Sequence, residues 1–149
     1  MSEVMVVQVE RTVTVSTPIG PVAQYLADFA HTEEWDPGTI SCIRKDRGPI
    51  EVGTRWHNVS EFRGRRTELE YRLTHRSPGR VTFVGNNKTV TSTDDFELTS
   101  GPAGTTVRYQ ATLEFHGWAK LAAPLLKREF ERLGDEVAPA LSRELAALG

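Results

Sequence analysis

Cysteine is nearly absent from this chain of 149 residues, with Cys42 the single one. An internal disulfide is therefore excluded, and so is a zinc site built on paired thiolates. No run approaches the ~20 apolar residues of a membrane-spanning helix. The N-terminus, Met1-Ser2-Glu3-Val4-Met5, lacks the basic stretch and apolar run of a secretory signal. An excess of one charge is missing too. The 18 basic and 20 acidic side chains leave −2, with the signs interspersed. No broad positive field results, so nucleic acid is not an expected partner. The four histidines, at positions 31, 57, 75 and 116, have neither ligand spacing nor a cysteine partner, and no metal is expected. There is no phosphate loop, since Gly101-Pro102-Ala103-Gly104 joins strand to strand, and no Gly-x-Ser-x-Gly elbow. These absences point to a cytoplasmic protein without cofactor or integral membrane segment. The length fits one domain spanning residues 1–149.

What is present is mostly alternation. In Val4 to Ser16, Val7, Val9, Val13 and Val15 share one face at period two, which predicts a strand whose apolar face is interrupted by Arg11. Thr17 is expected to cap a short helix opening on Pro18, with Val22, Tyr25, Leu26 and Phe29 as its apolar stripe. His31 to Trp35 reads as a second helical turn capped by Thr32 and ended by Asp36-Pro37-Gly38. Strands are then expected at Ile40–Arg47, Thr54–Phe62, Arg65–Arg76, Arg80–Gly85, Lys88–Thr99 and Thr105–His116, joined by short turns. The period changes in the tail. Leu126, Phe130, Leu133, Val137, Leu141, Leu145 and Leu148 recur at three and four residues, one face of a long amphipathic helix. Pro139 lies inside it and predicts a kink.

This order defines an α+β fold. About seven antiparallel strands form a meander that twists and curls. The long C-terminal helix is the one element left to cover the apolar face, and one helix cannot fill so wide a hollow. Either bulky side chains fill the remainder or a cavity is left. Trp35, Trp56 and Trp118 are the largest fillers.

Several segments resemble one family. Val13-Thr14-Val15-Ser16-Thr17-Pro18, the stretch Val22 to Phe29, Glu34-Trp35-Asp36-Pro37-Gly38, Gly53-Thr54-Arg55-Trp56, Gly104-Thr105-Thr106-Val107 and the closing helix look like the polyketide cyclase/dehydrase and lipid-transport (SRPBCC) group. That group lies in the START-like, birch-pollen-allergen-like helix-grip superfamily. The resemblance covers essentially the whole chain. It implies a helix-grip fold with a pocket for a hydrophobic or aromatic ligand, polyketide- or lipid-like. A reaction is not implied, because one fold hosts many functions. Three readings stay open: a non-enzymatic binder, a polyketide aromatase/cyclase or dehydratase, and a protein-interaction module. A monomer or homodimer is expected.

Candidate residues follow from the faces. Trp56, Asn58 and Phe62 are expected inward on their strand, which leaves His57 a surface residue, since the two sets cannot both face in. Leu69 and Tyr71, Phe83, Phe96 and Tyr109 lie on the apolar faces of later strands, and Leu126, Phe130 and Leu133 on the helix stripe. With Trp35, which could stack on a flat ligand or pack the short helices on the sheet, these make the expected ligand-binding set. Arg11, Asp94 and Tyr71 are the candidates for carrying chemistry. Arg11 could pair with an anionic ligand, although reaching solvent is the commoner fate. Asp94 could be a buried general base, although such an Asp is more often solvated near a strand end. Tyr71 could donate its hydroxyl to a ligand, and so could Tyr109, although a core tyrosine bonded to backbone is the commoner case. Asp36 reads as a turn cap, and Cys42 as a small buried apolar residue.

Overall fold

The computed structural model of the protein describes residues 5–121 and 123–149, and for 118, 123 and 125 the backbone alone. Val4 as a strand start and the Trp118 indole as a filler lie outside the described residues. The elements run β1 (Met5–Val15), α1 (Ile19–Leu26), a 3-10 turn (Phe29–His31), α2 (Thr32–Trp35), β2 (Thr39–Arg44), β3 (Arg55–Phe62), β4 (Arg65–Ser77), β5 (Arg80–Asn86), β6 (Val90–Gly101), β7 (Gly104–Phe115), a second 3-10 turn (Gly117–Leu121) and α3 (Ala123–Ala146). The seven strands form one antiparallel sheet in the order β1-β7-β6-β5-β4-β3-β2. It curls around α3, giving the expected helix-grip fold. No helix among the described residues is long and apolar enough to cross a membrane.

Several local expectations are corrected. Thr17 does not cap α1. Its hydroxyl donates to the Leu145 carbonyl at 2.7 Å, and its own carbonyl accepts from Thr105 Oγ1 at 2.7 Å, so it ties the end of α3 to β7. The Thr32 side chain does not cap α2, and its buried hydroxyl has no hydrogen-bond partner among the described residues. The capping side chain is Asp28, which accepts from the Ala30 N–H at 3.0 Å. β2 stops at Arg44, short of the expected Arg47, because the Asp46 carboxylate folds back onto the Arg55 N–H. Leu148 lies beyond the end of α3 and is exposed. The helix continues through Pro139, whose missing N–H leaves one carbonyl of the preceding turn without its usual partner.

Two features set where α3 lies. Gly134 faces β1 so closely that a Cβ there would meet Val9 at 2.6 Å and the Arg11 guanidinium at 3.1 Å. Arg11 then reaches under the helix to the Glu131 carbonyl (2.9 Å), the Glu131 carboxylate (3.3 Å) and the Asp135 carboxylate (2.8 Å). Neither reading of Arg11 from sequence describes it, since it is a clamp between helix and sheet. The helix thus leans on β1, at one edge of the sheet, and space opens beneath it toward β3 and β4.

The hairpin after β6 is tight. Gly104 has φ +126°, and a Cβ there would stand 2.1 Å from the Val15 carbonyl oxygen. Gly104→Ala is expected to cost about 1–3 kcal/mol from the backbone conformation alone, with the steric clash adding to it. Thermal denaturation checks this, and an unchanged melting temperature would contradict it.

Candidate functional site

The hollow is filled at one end and empty at the other. At the filled end, Phe29 packs 4.4 Å, centroid to centroid, from both Tyr71 and Phe83. Trp35 meets Phe96 and Tyr109 edge-on at 5.7 and 5.5 Å. The Trp56 N–H donates to Asp28 Oδ1 at 3.0 Å, tying β3 to the same 3-10 turn. The short helices therefore plug the sheet. Trp35, Trp56, Phe83 and Phe96 are buried in that plug, and Asn58 is buried beside it. None of these five lines the cavity.

Beyond the plug is a cavity of about 640 Å³. Of the residues expected from sequence, Phe62, Leu69, Tyr71, Asp94, Tyr109, Leu126, Phe130 and Leu133 line it. The faces predicted them because alternation along a strand and recurrence along a helix report direction. Sequence reasoning missed Val9, Asp36, Ala111, Leu113 and Gly134, which also line it. Ala111 and Leu113 share the face of Tyr109, and Gly134 lies on the α3 stripe. For Ala111 the small side chain was the available signal, because it leaves the space in front of β7 unfilled, whereas Gly134 is where α3 approaches β1 too closely for a Cβ. Phe62 and Phe130 stack at 4.6 Å, where the β3–β4 hairpin meets the start of α3. Exposed Glu61, Arg63 and Arg65 mark the mouth there.

Four polar side chains converge at the closed end. Tyr109 donates to Asp94 Oδ1 at 3.0 Å, a bond to a carboxyl where backbone was the expected partner. Asp94 is 6% exposed, so it is a buried group and not a solvated strand end. Its Oδ2 has no protein partner among the described residues and opens on the cavity. Asp36 lines the same space and does cap its turn, accepting from the Gly38 N–H (3.0 Å) and the Thr39 hydroxyl (2.9 Å). Burial pushes the Asp94 carboxyl up to about 7, helped by the charge of Asp36 and opposed by the Tyr109 hydrogen bond. Burial raises Asp36 as well, against its two hydrogen bonds. Burial, then the nearby Asp94 charge, keeps the Tyr71 and Tyr109 phenols protonated. The arrangement can hold a proton at Asp94 near neutral pH and offer it to an oxygen in the cavity.

Titration of Asp94 has a signature in stability. A carboxyl whose folded pKa lies above its ordinary 3.8 keeps its proton longer in the folded state, so its contribution falls as pH rises from about 4 to about 7. Asp94→Asn removes this ionisation and leaves its neighbours Asp36, Tyr71 and Tyr109 in place. The stability of the variant relative to wild type is expected to improve across that window, measured by urea denaturation. A pH-independent difference would contradict the assignment.

The remaining candidates fall outside. His57 is on the surface and contacts Glu68 at 2.8 Å. Cys42 is buried, and burial pushes its thiol up to about 11, leaving little thiolate. Among the described residues no group of His, Cys, Asp and Glu is placed to hold a metal ion.

A curved seven-stranded sheet gripping a C-terminal helix, with an apolar cavity between them, defines a START-like helix-grip protein. The chain belongs to the polyketide cyclase / dehydrase and lipid transport family, whose profile matches residues 6–144. No curated protein matches the sequence. Among solved structures it is similar to a START superfamily protein from Mycobacterium smegmatis, at 16% identity and TM-score 0.72 over 95% of this chain and 99% of that one. It is also similar to the Zhui aromatase/cyclase from Streptomyces sp. R1128, at 18% identity and TM-score 0.73 over 94% and 93%. Ara h 8.0201 matches at 13% identity and TM-score 0.67 over 95% and 99%. At these identities the likeness is one of fold.

Proposed function

We propose that the protein binds a small hydrophobic or aromatic molecule, polyketide- or lipid-like, in the cavity between α3 and the sheet. One observation carries this reading. The cavity of about 640 Å³ is walled mainly by Val, Leu, Ala and aromatic side chains, with a few polar groups gathered at one end. Ligand sites are built this way, within ~300–1,000 Å³, with sparse polar groups fixing orientation. Membership in the family supports the reading. The test is a titration with polyketide-like, flavonoid and fatty-acid ligands followed by tryptophan fluorescence. Trp35 lies behind the Tyr109 wall and should report occupancy. A saturable change with at least one class is expected, and none across the panel contradicts the proposal.

Asp94 favours a second reading, a polyketide cyclase or dehydratase. Catalysis would come mainly from holding a flexible chain in a reactive conformer. Asp94 would move one proton at a substrate oxygen, with Tyr109 orienting its carboxyl. The likeness to an aromatase/cyclase supports this at the level of fold. Here Asp94→Asn is expected to change the product distribution from a poly-β-keto chain, and unchanged products contradict the catalytic reading.

A further inference from the structure

The cavity is polarised along its length. On β4 the lining side chains are Tyr71, Leu69, Thr67 and Arg65, at a spacing of two, so all four are on the concave face. Their partners across the β3–β4 ladder are Trp56, Asn58, Ser60 and Phe62. One wall therefore runs from aromatic at the closed end to a guanidinium at the mouth. Arg63 joins it from the hairpin, held at φ 52° in the turn. Glu61 stands opposite Arg66 in the register, on the alternate face from Arg65. Neither Arg63 nor Arg65 forms an ion pair among the described residues.

The two ends have opposite demands. Asp36 and Asp94 face the closed end and no cation lines it, so an anionic group is repelled there and a neutral oxygen is not. Asp94 is more than nine-tenths buried, and its Oδ2, without a protein partner among the described residues, can donate to a carbonyl oxygen when it holds the proton and accept from a hydroxyl when it does not. At the mouth two guanidinium groups outnumber the one carboxylate, Glu61, so the balance favours an anion, and they match a carboxylate in geometry. From Tyr71 to Arg65 is six residues of strand, about 20 Å at 3.3–3.4 Å each. The cavity volume spread over that length leaves room for one chain or one row of flat rings.

We propose that the site takes an extended amphiphile, with its carboxylate at Arg65 and Arg63 and a neutral carbonyl or hydroxyl oxygen at Asp94 and Tyr109. This inference rests on the ligand-binding reading above and names the ligand class. The test is calorimetric titration at neutral pH and low salt with three probes: a sixteen-carbon acid bearing a ketone beside its far end, the methyl ester of that acid, and plain hexadecanoic acid. The keto acid is expected to bind about tenfold more tightly than its ester, the scale of one charge-assisted contact. It should bind about fivefold more tightly than the plain acid, the scale of one neutral hydrogen bond. Arg63→Gln with Arg65→Gln, on an exposed hairpin, is expected to erase the first gap and spare the second. Asp94→Leu should erase the second and spare the first. Should Asp94→Leu fail to fold, the wild-type comparison of keto and plain acid still decides the inner contact. An ester that binds as tightly as the acid overturns the proposal, as does an acid preference that survives the double arginine variant. If no chain binds while an aromatic ligand does, the amphiphile alone is lost. If nothing binds, the ligand-binding reading falls with it.

Discussion

Replacing Trp56 with alanine is expected to lower the free energy of unfolding by about 3–5 kcal/mol. The indole is fully buried. It stands edge-on to Phe83 at 5.4 Å and to Phe29 at 6.3 Å, so its loss opens a hole beside rings that are already packed against other side chains. The same change removes the hydrogen bond to Asp28, whose carboxylate also caps the 3-10 turn through the Ala30 N–H. The plug thus loses packing and anchorage together. A typical domain has only about 5–15 kcal/mol to lose. Urea denaturation, with the slope compared to confirm that the same transition is measured, gives the value. A loss under about 1 kcal/mol would show that Trp56 is not the keystone of the closed end.

The second large effect concerns binding and not stability. Ala111 lies mid-strand on β7, opposite Val9 of β1 and Asp94 of β6, and its side chain lines the cavity. Ala111→Trp places an indole in the empty space. Ligand affinity is expected to fall at least ~100-fold, because the lost burial exceeds ~3 kcal/mol for a ligand of one or two rings. The fold should survive, since overpacking is costly in a filled core and much less so where space exists. Unaltered affinity in a folded variant would place the ligand elsewhere.

Much of this was legible from sequence, and the limit has a physical form. Period-two alternation placed Trp56, Asn58 and Phe62 on one face of β3, and Leu69, Tyr71 and Leu73 on one face of β4. A face is a direction, and it says nothing of depth. Depth is decided by Phe29 and Trp35, whose contacts lie far away in the chain on β4 to β7. No local pattern announces where a plug ends. Phe62 and Tyr71 reach the cavity, whereas Trp56 and Phe83, on the same faces of their strands, do not. Arg11 was visible as an anomaly on an apolar face. Its partners, Glu131 and Asp135, are set by how α3 crosses β1, which Gly134 permits. Asp36 was legible as a turn cap, and it caps the turn while also lining the cavity, which no local pattern reports.

The claim beneath all of this is that the space under α3 admits a guest. A methyl-labelled sample titrated with the tightest ligand of the panel addresses it directly. The account expects saturable shifts at Leu69, Ala111, Leu113 and Leu133, which wall the cavity, with exposed Ile43 and Val52 unmoved. Shifts confined to Ile43, Val52 and other surface methyls, with the four wall residues unchanged at saturation, would contradict it.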